Sequence, residues 1–449
     1  MTIAERLARV PDYNAFYTVD ELYAHASCIA ARYPDICTLR IIGYSKAGKP
    51  IIMTSVGDGP APLLLFAFPH PNEPVGAMLT YFLLEELMKE DELRAGRTWH
   101  IIPCIDPDGA SLNEGWFKGP FSIRDYARHY FRTKGEDQVE WSFPIEYKTL
   151  KYEKYVPETK ALMNAIAEIK PLFMYSLHNS SFGGVYYYIS KPLKEVYEAL
   201  YRIPEERDLP LSLGEPEMPY CQVYSPAIFD MPRIKDAYDY YEKIGVADPA
   251  KHIHGGASSR DFADGISEPL SLVTEVPLFL SPQIADTTET DRTRKELTLK
   301  GLEKSHRILC AVKSIIDETI GELTKGEIIR DTVVAFVEQM ATNIEDTKTW
   351  VNTDPEMGNK ATSAQAVDAE YISVFRNLTI LSMYRRALKV QMDKGVSRKL
   401  TNAFIRLDDL MELWITEIED ALDYRVVSIK HMVEVQYGAL LAVLEALGI

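Results

Sequence analysis

Short apolar runs bounded by turn formers alternate with stretches whose apolar positions recur every three to four residues over the first 316 positions. The strongest run is Leu63-Leu-Leu-Phe-Ala-Phe68, six apolar residues that read as a strand buried on both faces. The chain breaks at Pro69, and a helical run follows from Val75 to about Lys89 with Met78, Phe82, Leu83 and Leu87 on its buried side. Upstream, Thr18-Val-Asp-Glu21 is a capping box that opens a helix to about Ala31. Cys37 to Tyr44 and Ile51 to Val56 read as a hairpin around the polar turn Ser45–Pro50. Further strands are expected at Arg97–Ile102, Pro171–Leu177, Val185–Ile189 and Leu270–Glu275, with a helix from Pro157 to Ile169. Strands alternating with helices predict an α/β fold: a mixed, largely parallel twisted sheet flanked by helices.

After about Ile316 the pattern changes. Pro355 is the one proline from there to Ile449, and Leu400, Phe404, Leu407, Met411, Trp414, Ile418 and Leu422 step by four and three. Similar stripes run through 329–345, 369–391 and 425–447. The expected organisation is a catalytic α/β domain over 1–316 and an all-α C-terminal domain over 317–449, whose aromatic stripe packs as core.

Composition narrows the class. A chain of 449 residues is long for one core, and its 46% apolar and 26% charged fractions are those of a globular protein. No apolar run approaches the roughly 20 residues that span a bilayer, and the charged N-terminus has no signal-peptide pattern. Five scattered cysteines without a C-x-x-C argue for a reducing, cytoplasmic setting and against a thiolate metal site. A net charge of −17 disfavours nucleic-acid and anionic-membrane partners.

Chemistry concentrates at strand ends. His70 and Glu73 follow the central strand, His178 follows Pro171–Leu177, and Glu275 closes the last strand. Ligands bind outside the carboxyl ends of strands in such sheets. An imidazole and a carboxylate three residues apart can converge on a small cation, and zinc suits nitrogen with carboxylate oxygen. The alternative is a polar loop with Glu73 near a helix N-terminus, where the dipole favours an anion. Between Ala110 and Tyr155 lies an irregular segment with Trp116, Phe117, Phe121, Tyr126, Tyr130, Phe131, Trp141 and Phe143, read as an ordered loop that forms part of a site.

Taken together, Tyr17-Thr-Val-Asp-Glu-Leu, Tyr33-Pro-Asp, Ile42–Pro50, His70-Pro-Asn-Glu73, Asp106-Pro-Asp-Gly109, Pro157-Glu-Thr and Ser176-Leu-His178 resemble, in order, the zinc metallocarboxypeptidases related to carboxypeptidase A. The resemblance covers about Tyr13 to Ile316 and leaves out the C-terminal helices. It implies one zinc ion held by His70, Glu73 and His178, with Glu275 as the general base that activates water. The implied substrate is a peptide or an amide-linked small molecule cleaved at its C-terminal bond.

The chain departs from that pattern in two places. Where the family carries Trp-Arg-Lys this chain has Trp116-Phe117-Lys118, and the family's Asn-Arg pair has no literal copy. Arg124, Arg128 and Arg132 follow at four-residue spacing, which stacks them on one face if the segment is helical. Arg128 and Arg132 are the expected substrate-carboxylate ligands, with a solvated face as the alternative. The family's active-site tyrosine is also missing before Gly255-Gly256, so that Lys251, His252 or His254 supplies the donor in its place, or nothing does. Arg260 suits an acidic substrate side chain or a surface salt bridge. Two competing functions stay open: a deacylase of acyl-amino acids of the aspartoacylase or desuccinylase type, and a catalytically silent scaffold. Self-association through the C-terminal helices is a further expectation.

Overall fold

A computed structural model describes residues 1–395 and 397–449. Its centre is a nine-stranded sheet. We number its strands β1 (Cys37–Tyr44), β2 (Pro50–Val56), β3 (Ala61–Ala67), β4 (Arg97–Ile102), β5 (Phe173–Leu177), β6 (Tyr186–Ile189), β7 (Val223–Ser225), β8 (Ile228–Asp230) and β9 (Leu270–Glu275). The spatial order is β1-β2-β4-β3-β5-β9-β6-β8-β7. The middle, β4-β3-β5-β9, is parallel, and antiparallel pairs flank it. The sheet is thus mixed, with its parallel part where both faces are covered. Leu63, Leu64, Leu65 and Phe66 are fully buried because alternate side chains enter two separate cores.

The helices used below are α1 (Val19–Arg32), α2 (Val75–Lys89), α3 (Pro107–Ser111), α4 (Ile123–His129), α5 (Pro157–Ile169), α6 (Arg294–Thr319), α7 (Ile328–Thr353), α8 (Ser373–Lys394), α9 (Arg398–Ala421) and α10 (Ile429–Leu447). Thr18 and Glu21 form the expected capping box of α1. Among the described residues no helix is long and apolar enough to cross a membrane.

Three sequence motifs form one structural knot just past the carboxyl end of β4. Lys46 and Ala47, in the β1–β2 turn, donate backbone N–H bonds to Glu158 and Asp108, both at 2.8 Å. Lys49 bonds the Pro107 carbonyl and Ser111. Asp106 caps α3 through Gly109 N at 2.8 Å, and burial pushes its carboxyl up to about 7. These residues hold the hairpin, α3 and α5 together.

The helical region begins at about residue 294, because α6 runs unbroken through position 316. Its last helix does not stay with the others. Helix α10 packs against α2, β9 and the helix Tyr197–Glu205, and Gln436 donates to the His178 carbonyl at 2.5 Å. The stripe at 425–447 was expected to pack among the C-terminal helices, but α10 has almost no polar side: Val433, Val435, Tyr437, Ala439, Leu440 and Val443 are all fully buried.

Helix α8 docks on the aromatic loop. Arg386 donates to the carbonyls of His129 (2.7 Å), Tyr130 (2.9 Å) and Leu112 (2.8 Å). The first lies at the C-terminus of α4, where a cation also meets the favourable end of the helix dipole. Replacing Arg386 with Met should cost on the order of 2–4 kcal/mol, since three partly buried carbonyls lose a charged donor. That loss is read as a lower urea midpoint at constant slope. An unchanged midpoint would contradict this account of how the loop is held.

Candidate metal centre and cavity

The parallel register brings the site together. Ala67 pairs with Leu177 across β3 and β5, and Ser176 pairs with Val273 across β5 and β9. His70, His178 and Glu275 therefore leave adjacent strand ends. Phe68, buried and at φ 55°, swings the chain off β3 so that His70 turns back over the sheet edge. Glu73 N then bonds the His70 carbonyl at 3.1 Å, and Pro74 starts α2. Gly76 lets α2 lie against the end of β5, where a Cβ would collide with Leu177.

One nitrogen or oxygen from each of His70, Glu73 and His178 lies within 4.8 Å of the others. All three residues are buried, at 5%, 4% and 7% exposure, and Glu275 is at 8%. His70 Nδ1, Glu73 Oε2 and Glu275 Oε2 are buried without hydrogen-bond partners among the described residues. His178 Nδ1 is 2.9 Å from Glu73 Oε2, yet the two are not aligned as a hydrogen bond. Donor atoms that lie side by side and do not face one another suit a shared third centre.

The His178 tautomer follows from its neighbours. Glu140 Oε1 accepts from Ser176 Oγ at 2.8 Å, which commits the one hydroxyl proton of Ser176. Ser176 Oγ, 2.9 Å from His178 Nε2, is then the acceptor there, so Nε2 carries hydrogen and Nδ1 is the nitrogen that a cation would bind in place of its proton. Ser259 N and Oγ hold Glu140 at 2.8 and 2.9 Å. Burial, then Arg132 and His178, press His70 well below the ordinary imidazole value, so it stays neutral. Burial also opposes charge on His178, but Glu73, Glu275 and Glu140 outweigh it and hold the ring at about 9. Burial first, then Glu73, push the Glu275 carboxyl well above its usual range. This corner of the cavity attracts positive charge. Two neutral-capable imidazoles and a carboxylate, with an outer carboxylate orienting one ring, fit a zinc ion.

The surrounding cavity is ≈ 190 Å³ and is walled by Tyr126, Tyr130, Tyr186 and Tyr188 together with Met218 and Met231. Arg132 lines it, with Nη1 3.5 Å from Glu73 and Nε 3.1 Å from Gln138. Arg128 does not line it. Helix α4 ends at His129, so Arg124 and Arg128 share a face toward α9 and Arg132 lies beyond the helix end. Arg128 is held by Glu412 at 2.7 Å and Asp408 at 3.8 Å, and Arg124 pairs with Glu412 and Glu419.

Lys118 pairs with Glu21 at 2.7 Å on the outer surface. His252 pairs with Asp346 of α7 at 3.1 Å, and Lys251 pairs with Asp248. None of these, nor His254, lines the cavity, where the tyrosines stand instead. Arg260 is buried at 4% exposure and bonds Asp230 at 3.0 Å and the Ser190 carbonyl at 3.1 Å, so the surface salt bridge is excluded. Sequence reasoning missed Glu140, Glu217 and Arg376. For Glu140 a signal existed, since it sits beside Trp141 in the loop already singled out.

This fold and this cluster define a candidate metal centre at the carboxyl ends of a mixed sheet. Residues 22–212 match the family described as zinc carboxypeptidase, peptidase M14, and the helical C-terminal region lies beyond the matched span. His70, Glu73 and His178 fall inside the matched span, and Glu275 lies beyond it. Carboxypeptidase B of the crayfish Astacus astacus is 22% identical over 105 residues, which are 22% of this chain and 35% of that protein. The chain thus spans about a third of the length of this curated relative. Among solved structures, carboxypeptidase A of Helicoverpa armigera is similar at 14% identity and a TM-score of 0.37, covering 62% of this chain and 69% of its own. A metallo-carboxypeptidase of Burkholderia cenocepacia is similar at 13% identity and a TM-score of 0.38, covering 58% and 60%.

Proposed function

We propose that this protein is a zinc-dependent hydrolase that removes the C-terminal residue of a peptide or of an amide-linked small molecule. The observation that carries the reading is the convergence of His70, Glu73 and His178 within 4.8 Å at adjacent strand ends, with Glu275 alongside. These three residues would hold one zinc ion. When bound, the ion supplies an activated water and polarises the scissile carbonyl. Glu275 takes the proton of the attacking water and passes it to the leaving nitrogen as the C–N bond breaks, giving a carboxylate and an amine. Arg132, beside Glu73, donates to the carbonyl oxygen as its charge grows. The tyrosine and methionine walls exclude water and receive an apolar part of the substrate.

Metal analysis coupled to product identification on peptides, acyl-amino acids and their paired C-terminal amides tests this reading. The expected product is a free C-terminal residue, released from the acid and not from its amide. Equal cleavage of acid and amide would remove the exopeptidase reading and leave a deacylase or amidase. Stoichiometric zinc without turnover across the panel would favour the scaffold.

A further inference from the structure

Helix α8, which lies outside the matched family span, opens into the same cavity. Ile372, Arg376 and Thr379 line it from that side. Arg376 differs from the cavity's other two guanidinium groups. Arg132 is beside Glu73 and Gln138, and Arg260 is buried against Asp230 and the Ser190 carbonyl. The Arg376 side chain keeps 50% of its surface open to water where it lines the cavity. Its ion pair among the described residues is with Glu217, at a long 3.4 Å. Glu217 does not depend on that contact, because its other oxygen accepts from Tyr188 at 3.1 Å. A solvent-facing guanidinium on a loose partner, among Tyr186, Tyr188, Met218 and Met231, is arranged to exchange that partner for an entering anion.

We propose that Arg376 is the cavity's receptor for a substrate carboxylate, so that the C-terminal helical region completes the site and selects anionic substrates. An entering carboxylate would displace Glu217 and form two parallel N–H···O bonds with the planar fork, while Glu217 stays held by Tyr188. This gives α8 a chemical role besides bracing the aromatic loop through Arg386. The proposal names the substrate class for the hydrolase reading and rests on it, but its test needs no turnover.

The test is calorimetric titration of the full chain with 3-phenylpropanoate and with 3-phenylpropanamide, which share a ring for the apolar walls and differ in charge. Wild type should bind the acid about tenfold or more tighter than the amide, the size expected for charge-assisted hydrogen bonds. Arg376→Gln should bring the two within about twofold by weakening the acid alone, and Arg376→Lys should restore part of the difference. Glu217→Gln removes the competing anion and should tighten the acid severalfold without changing the amide. A wild type without acid preference, or an Arg376→Gln protein that keeps it, overturns the proposal. Should Arg376→Gln fail to fold, an unchanged acid affinity in Glu217→Gln overturns it equally. If acid preference is lost with Arg376 while no substrate is hydrolysed, the receptor stands and the hydrolase reading falls.

Discussion

Glu275→Gln should lower hydrolysis on the order of 10²–10⁴-fold while leaving fold and metal content intact. The amide keeps the shape of the carboxyl at the end of β9, where the backbone is fixed by ladders to β5 and β6. What it loses is the ability to accept a proton. Oε1 of Glu275 lies 3.8 Å from His178 Nδ1, and Oε2 is buried with no partner among the described residues, so the group faces the cluster without being committed to it. The other nearby carboxylates are poor replacements. Glu140 is bonded to Ser176 and Ser259, and Glu73 belongs to the converging donor set. The measurement is kcat on a cleaved substrate, with zinc per chain and the thermal melt as controls. Near-normal turnover would mean that another group moves the proton.

The parts of the site legible in the sequence share one property: backbone ladders fix them. Apolar runs defined β3, β5 and β9, and parallel register then placed His70, His178 and Glu275 side by side with no further information. The arginines were not legible in this way. Four-residue spacing predicts a common face only while the helix lasts, and α4 stops at His129, three residues short of Arg132. Ser122 caps its start, and at its end Arg386 reaches in from α8 to the carbonyls of His129 and Tyr130.

Arg376 and Gln436 show the same limit from the other side. A hydropathy stripe identifies a helix and its buried face but not the partner that covers it. Arg376 lies on the exposed side of the α8 pattern, where a solvated charge is the ordinary expectation, and it lines the cavity because tertiary packing brings it to Tyr186 and Tyr188. Gln436, fully buried on α10, reaches His178 from a segment more than 250 positions away in sequence. The motifs around Asp106 and Glu158 were legible as motifs and silent about purpose. Their hydrogen bonds show them to be fasteners of the hairpin.

His178→Ala should abolish stoichiometric zinc in the purified protein. It removes one of three converging donors, the one whose ring is oriented through Ser176 by Glu140. Removing an outer partner of a ligand typically costs 10–100-fold in affinity, so deleting the ligand itself should cost more than about 100-fold. Ser176→Ala makes the graded comparison: the donor remains, its orientation loosens, and zinc weakens by about 10–100-fold without disappearing. The fold should survive both changes. Gln436 bonds the backbone carbonyl of residue 178, which alanine keeps, and Glu140 retains Ser259 in either variant. Zinc per chain by elemental analysis after dialysis, read beside the thermal melt, separates loss of metal from loss of structure. Full zinc retention in His178→Ala, with an unchanged melt, would place the ion on other residues and remove the basis for assigning Glu275 its proton.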